Sequence, residues 1–212
     1  MKRLPWLLLL LAAGCTSTPP PASKSTEIRL VAILPFFNET GGSSFDAEEF
    51  GGILASEFVK AWGVRVVRPA HLRAASSEPI VTVEDAVRVA RTLGADAVLA
   101  CAVTDYDPYD PPRIGVHVQL LRTEGQSLSA KDLDGLLQSA SWKKGPLAMT
   151  PAGAAHAIAA FERVYDAREA AVRAQVAGFA QRLSIRPSEV LAVQSRYLQF
   201  VSTQILQRAY GS

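Results

Sequence analysis

Three carboxylates stand within six residues in the stretch DYDPYDPP: Asp105, Asp107 and Asp110, interleaved with Tyr106 and Tyr109. Such a cluster could do several kinds of chemistry. Hard oxygen ligands suit Ca²⁺, although the stretch lacks the glycine turn and the distal bidentate Glu of a calcium-binding loop. Two carboxyls could share acid and base roles in a hydrolysis, although the sequence supplies no nucleophile or pocket beside them. Aromatic side chains among acids at a turn tip also suit contact with a protein partner. Proline and aspartate are, finally, what any solvated hairpin turn uses. The readings stay open together: a plain turn, a partner contact, a metal site or a catalytic pair.

The remaining reactive side chains are scattered. His71, His117 and His156 have no second ligand type at a metal-site spacing such as His-x-x-x-His or Cys-x-x-Cys. Each reads as ordinary, His71 near a loop, His117 in a strand and His156 in a helix. No Gly-x-Ser-x-Gly elbow, Walker loop or Gly-x-Gly-x-x-Gly occurs, and the pairs Gly41-Gly42 and Gly51-Gly52 lack the strand-to-helix framing that binds phosphate. No catalytic residue, metal or cofactor is expected. Cys101 lies in the apolar run VLACAV and reads as packing rather than as a reactive thiol.

Cys15 is different. Lys2 and Arg3 precede an apolar run from Trp6 to Ala13, and Ala12, Ala13 and Gly14 are small, which is the pattern of a secretory signal. At about 1.5 Å rise per residue the run spans only about 12 Å of a hydrocarbon core about 30 Å thick, too short for a stable spanning helix. Small residues before a cysteine, with polar Thr16 and Ser17 after it, resemble the lipobox of bacterial lipoproteins, in which the thiol is acylated and becomes the mature N-terminus. The third position before the cysteine is Ala12 where that family usually has Leu, with Leu11 one place further back. The resemblance implies that Cys15 carries the acyl chains, palmitate among them, that anchor the protein to a membrane. Thr16 rather than Asp implies the outer membrane, facing the periplasm, in a double-membraned cell.

Residues 1–14 are then a lipoprotein signal peptide and 15–26 a lipidated tether. Its Pro- and Ser-rich sequence TSTPPPASKST, at roughly 3.1 Å per residue in polyproline geometry, would hold the domain about 30 Å off the bilayer. Losing Lys2 and Arg3 takes the chain from a formal net charge of +2 to near zero. No basic field remains to attract nucleic acid. With Cys15 acylated, Cys101 has no partner, and no disulfide is expected despite the oxidising compartment.

The elements that position these residues follow from periodicity. IRLVAILPFF, residues 28–37, suits a strand covered on both faces. After the turn cluster NETGGSS, the segment FDAEEFGGILASEFVKAWG places Phe50, Ile53, Leu54, Phe58 and Trp62 at helical spacing, with Gly63 to end the helix. A short strand follows over Val64–Val67. Thr82 with Asp85 caps a helix whose Val83, Ala86, Val87, Ala90 and Leu93 form one stripe, closed by Gly94. DAVLACAVTDY and RIGVHVQLLRT are two strands joined through DPYDPP. The order predicts an α/β (α+β) fold, a mixed sheet of about four to five strands with packed helices over residues 27–124. Residues 125–212 read as a helical segment packed on or beside it. Ser129 with Asp132 opens a short helix through Leu136 and Leu137. Thr150 and Pro151 start a helix TPAGAAHAIAAFERVY. Asp166 with Glu169 caps the next, with Val172, Val176, Phe179 and Leu183 on one side. Pro187 and Glu189 begin a last helix running to Gly211, with a stripe of Leu191, Leu198, Val201, Ile205 and Ala209. Tyr197, Phe200 and Tyr210 widen that stripe, so it reads either as core or as a partner-binding surface carried by Tyr197 and Phe200.

VAILPFFNETGG, a helix ending before VRVVRP, and VARTLGADAVLACAVTDYD together resemble the recurring pattern of the curli-type secretion lipoproteins and their relatives. Those relatives include lipoprotein activators of penicillin-binding proteins, a flagellar assembly protein and the amino-terminal domain of the Tol-system propeller protein. The AILPF strand with Asn38 after it, the LGAD step at Leu93–Asp96 and the strand that follows carry the resemblance, which runs from Ile28 to about Thr123. It implies a β-α-β-α-β-β core and an envelope location, with no common reaction. It stops short of a pore, because a spanning strand needs about 9–11 alternating residues, whereas the loop from Asp105 to Pro112 is short and the segment after Gly125 reads as helical. The expectation is a non-enzymatic, membrane-anchored envelope lipoprotein. It would bind a protein partner or self-associate in a transport, secretion or cell-wall machine. The rivals are a lipid-anchored hydrolase of envelope polymers working through the acidic turn, and a small-ligand-binding envelope protein.

Overall fold

Val31 and Ile33 enter one hydrophobic core while Ala32 and Leu34 enter another, and all four are fully buried. A strand apolar on both faces demands cover on both, and that requirement organises the molecule. The computed structural model describes residues 28–42, 44–76, 80, 83–123 and 157–211. In chain order the elements are β1 (Leu30–Ile33), β2 (Phe37–Asn38), α1 (Ala47–Trp62), β3 (Arg65–Val67), α2 (Pro69–Ala75), α3 (Val83–Thr92), β4 (Ala97–Asp107), β5 (Arg113–Arg122), β6 (Ala157–Asp166), α4 (Ala170–Arg182), α5 (Pro187–Ala192) and α6 (Gln194–Tyr210). The sheet is mixed, in the order β3-β1-β4-β5-β6, with β2 also paired to β4.

The sheet grows from parallel pairing at its centre. β1 runs parallel to β3 and to β4, and β2 takes up the pairing to β4 where β1 stops, with Ile33 opposite Leu99 and Phe37 opposite Ala102. Pro35 falls in the gap, where a residue without an N–H does no harm to the ladder. The LGAD step is the other fixed point. Gly94 takes φ +70°, a left-handed conformation open to glycine, and closes α3. Asp96 Oδ2 then accepts from the backbone N–H groups of Arg29 and Leu30 at 2.8 and 2.9 Å, pinning the start of β1 to the start of β4.

On one face, Phe50, Leu54 and Phe58 of α1 and Leu198, Val201 and Ile205 of α6 pack over Leu99, Ile114 and Leu120. Each such side chain contributes roughly 1.5–3 kcal/mol by leaving water. On the opposite face the smaller residues Ala86, Val87 and Ala90 of α3, with Leu72 of α2, cover Ala32, Val98 and Ala100. Cys101 sits in the first core and burial pushes its thiol pKa well up, so the packing reading holds. Asp46 caps α1 by accepting from Glu48 and Glu49 N–H at 2.9 Å each, and Gly63 closes it at φ +63°. Among the described residues no helix is long and apolar enough to cross a membrane.

Four expectations are corrected. The stretch AIAAFERVYD is not helical: it is β6, antiparallel to β5 from Arg113↔Asp166 to Leu121↔Ala157. Its alanines favour helix locally, but strand preference is decided by the surface a segment packs against, and β5 presents a free side. The sheet therefore draws a strand from beyond residue 124. The last helix is broken at Val193, which is extended at φ −110°, ψ 110° and 46% exposed, giving α5 and α6. Asp166 does not cap α4. Glu169 holds that position without a side-chain bond, and Asp166 accepts instead from Arg168 N–H at 2.8 Å. His71 lies in α2, a helix the periodicity did not reveal. The signal peptide, Cys15 and the tether, Thr82, the Ser129–Leu137 helix, the Thr150-Pro151 start and His156 lie outside the described residues.

Candidate functional site

β4 and β5 form a hairpin whose last paired residues are Asp107 and Arg113, so residues 108–112 make its tip. The register shifts between Val103 and Asp105, and Gly115 sits opposite that irregularity. A Cβ there would lie 2.6 Å from Thr104 Oγ1 and 3.1 Å from Asp105 Cβ, so the bulge requires glycine.

Each of the first two carboxylates is engaged by an arginine. Arg113 Nη2 donates to Asp105 Oδ1 at 3.1 Å, and its Nε lies at ion-pair distance, 2.9 Å, from Asp105 Oδ2 without hydrogen-bond geometry. Asp107 Oδ1 accepts from Tyr109 N–H at 3.2 Å, folding the tip, while its Oδ2 lies 3.5 Å from Arg168. Arg168 also sits 3.5 Å from Asp166, and Ala167 N–H donates to Pro112 O at 3.0 Å, so the junction between β6 and α4 braces the hairpin. Tyr106 is half-buried, edge-on to Phe45 at 5.1 Å. Burial, then Glu49 and Asp46, raise its phenol pKa, and its hydroxyl has no hydrogen-bond partner among the described residues. Tyr109 is 80% exposed, and Asp110, also exposed, sits beside it before Pro111.

Asn38 belongs to the same end of the sheet. Its Oδ1 accepts from Thr40 N–H and Oγ1 at 3.1 and 2.7 Å, and its Nδ2 donates to Gly42 O at 2.8 Å, which shapes the loop leading into α1. A separate groove of about 420 Å³ lies between α1 and α6, lined by Gly52, Ile53, Ser56, Glu57, Lys60 and Gln199 among others. Glu57 spans it, accepting from Lys60 and Gln199 at 3.0 Å each.

The arrangement does not assemble the metal or hydrolytic site that the sequence left open. Asp105 faces Arg113, and Asp107 divides its oxygens between the Tyr109 N–H and Arg168. Among the described residues no group of three or more His, Cys, Asp or Glu side chains is placed to hold a metal ion. His117 Nε2 lies 2.9 Å from Glu162 Oε2 across β5 and β6, and His71 lies on α2. Asp105, Tyr106, Asp107, Tyr109 and Asp110 do come together at one end of the sheet. Tyr197 and Phe200 do not join them: both are buried, and the Tyr197 hydroxyl donates to Tyr165 O at 2.8 Å. Their breadth on the helix serves the core, so they offer no partner surface. Sequence reasoning missed Arg113 and Arg168, whose roles depend on a strand register and on a junction about sixty residues downstream of the tip.

No protein-family model matches the chain, and no curated protein does. Solved structures similar to it include the LpoB C-terminal domain from Salmonella enterica, at 19% identity over 48% of this chain and 77% of that one, TM-score 0.40. The hypothetical protein CT253 from Chlamydia trachomatis is 13% identical over 87% of this chain and 99% of that one, TM-score 0.43. Lipoprotein GNA1162 from Neisseria meningitidis is 14% identical over 74% and 96%, TM-score 0.40.

Proposed function

We propose that this chain is a lipid-anchored envelope protein that works by contact, offering the β4–β5 tip to a protein partner in a transport, secretion or wall-synthesis assembly. The observation that carries the reading is Tyr109, four-fifths exposed on a hairpin whose Asp105 and Asp107 are already engaged by Arg113 and Arg168. An aromatic ring with a hydroxyl is among the side chains enriched at the anchoring positions of interfaces. Mounting it on a braced turn removes part of the ordering cost that association otherwise incurs. Asp110 adds a charge at the rim, where it steers encounter more than it holds the complex. The acylated Cys15 and the tether keep the tip within reach of partners at the membrane surface.

Crosslinking pull-down from intact envelopes, with the acylated protein carrying Tyr109→Ala, tests the reading. An anchor of this kind is worth about 2 kcal/mol or more, so the captured partner should fall roughly thirtyfold while thermal stability stays unchanged. Undiminished capture would overturn the assignment of the tip. Alanine at Asp105, Asp107 and Asp110 together separates it from the hydrolase reading, which requires loss of turnover on envelope polymer.

A further inference from the structure

Phe161, Arg163 and Tyr165 alternate along β6 with Glu162 and Val164, so the three share the face on which α6 packs. Arg208 of α6 lies over the Phe161 ring at 5.5 Å. Between β6, α4 and α6 these residues leave a pocket of about 230 Å³, lined by Arg163, Tyr165, Gln175, Gln204, Gln207 and Arg208. Gln204 Nε2 donates to Gln207 Oε1 at 3.3 Å, which fixes two of the amides relative to one another.

Arg113, Arg168 and Arg186 each meet a carboxylate elsewhere in the molecule. Arg163 and Arg208 form no ion pair among the described residues, and no acid lines the cavity they share. Both arginines line the pocket beside Tyr165, and each opposes the burial that pushes its phenol up to about 12. Two cations facing one hollow repel each other, and an anion placed between them would relieve that repulsion. The donor set is equally one-sided: each guanidinium presents five N–H groups in a fork that matches an oxyanion, and each glutamine adds an amide that donates to the anion or accepts from a neighbouring hydroxyl.

We propose that this pocket is a binding site for a small oxyanion group, a phosphate or a carboxylate, gripped by Arg163 and Arg208 with the glutamine amides as supporting donors. Its volume sets the size of the occupant. Pockets for whole drug-sized ligands span about 300–1,000 Å³, so 230 Å³ takes an anionic end group. The site lies on the β6–α4–α6 side of the molecule and does not depend on the hairpin tip being a contact surface.

Calorimetric titration of the full chain with inorganic phosphate and with citrate, at constant ionic strength set by sodium chloride, tests the site. One saturable event with a Kd at or below about 1 mM is expected for at least one of them. Arg163→Gln should weaken it at least tenfold, and Arg163→Gln with Arg208→Gln should abolish it. Arg182→Gln, outside the pocket, should leave it unchanged. Arg208→Gln also removes the contact with Phe161, so Arg163→Gln, which touches no such ring, is the variant that decides if the double variant fails to fold. Flotation with phosphatidylglycerol vesicles against phosphatidylcholine vesicles distinguishes the sources. Retention on the former through Arg163 identifies a lipid phosphate, and binding in solution without retention identifies a soluble anion. No saturable binding in any arm, or binding indifferent to Arg163→Gln, overturns the proposal.

Discussion

Replacing Asp96 by alanine would expose what the LGAD step is for. In the folded chain the carboxylate accepts two backbone N–H groups, from Arg29 at 2.8 Å and Leu30 at 2.9 Å, across 67 and 66 residues of sequence. The Arg29 end is exposed, so water takes over that donor in the variant and the net loss there is small. The Leu30 end is partly buried, and β1 is flanked by β3 and β4, which hinders any other acceptor from reaching it. A hydrogen bond to a charged group is worth roughly 1.5–3 kcal/mol, and stranding a buried donor costs a similar amount. We therefore expect Asp96→Ala to destabilise by about 2–3 kcal/mol, a Tm lower by roughly 5–10 °C for a chain of this length. Urea unfolding followed by circular dichroism should show a lower midpoint at an unchanged slope, because the surface exposed on unfolding is the same. Asp96→Asn keeps one acceptor oxygen without the charge and should fall between the two. A Tm within about 1 °C of the parent for Asp96→Ala would refute the reasoning, because it would mean that the paired N–H groups contribute nothing to holding β1.

Gly115→Ala forces a Cβ to 2.6 Å from Thr104 Oγ1 and 3.1 Å from Asp105 Cβ. We expect a loss of about 1–3 kcal/mol by thermal melting, together with weaker capture of a partner through Tyr109, because the bulge lies in the hairpin that carries the tip. The alkaline limit of stability should carry a signature of Tyr165, whose phenol burial pushes up to about 12. Below pH about 10 it is protonated in both states; between about 10 and 12 the unfolded chain loses the proton first, so stability falls as pH rises through that window. Tyr165→Phe should flatten this part of the pH–stability curve, and a curve identical to the parent's would refute the assignment.

Much of the sheet was legible because burial repeats along a strand every second residue. IRLVAIL and DAVLACAV are apolar at both parities, and a strand covered on both faces is the arrangement that satisfies them. The 3.6 period of Phe50, Leu54 and Phe58 likewise placed α1 and its buried side. AIAAFERVYD was misread because its alanines favour helix and its strand character is conferred by β5, a partner that no local window contains. The acidic turn could be located from its residue types. Its state could not, since Arg168 reaches Asp107 only once β6 has paired and turned into α4.

By itself, then, the sequence determined which segments must be covered by others, because apolar periodicity records burial directly. The tertiary structure decided which residues meet: the edge strand, the break at Val193, the arginines that occupy Asp105 and Asp107, and the hollow shared by Arg163 and Arg208. The meeting of Asp107 with Arg168 joins residues 61 positions apart along the chain, and that of Glu57 with Gln199 residues 142 apart. Their energy depends on geometry after packing, and no property of either neighbourhood taken alone encodes it.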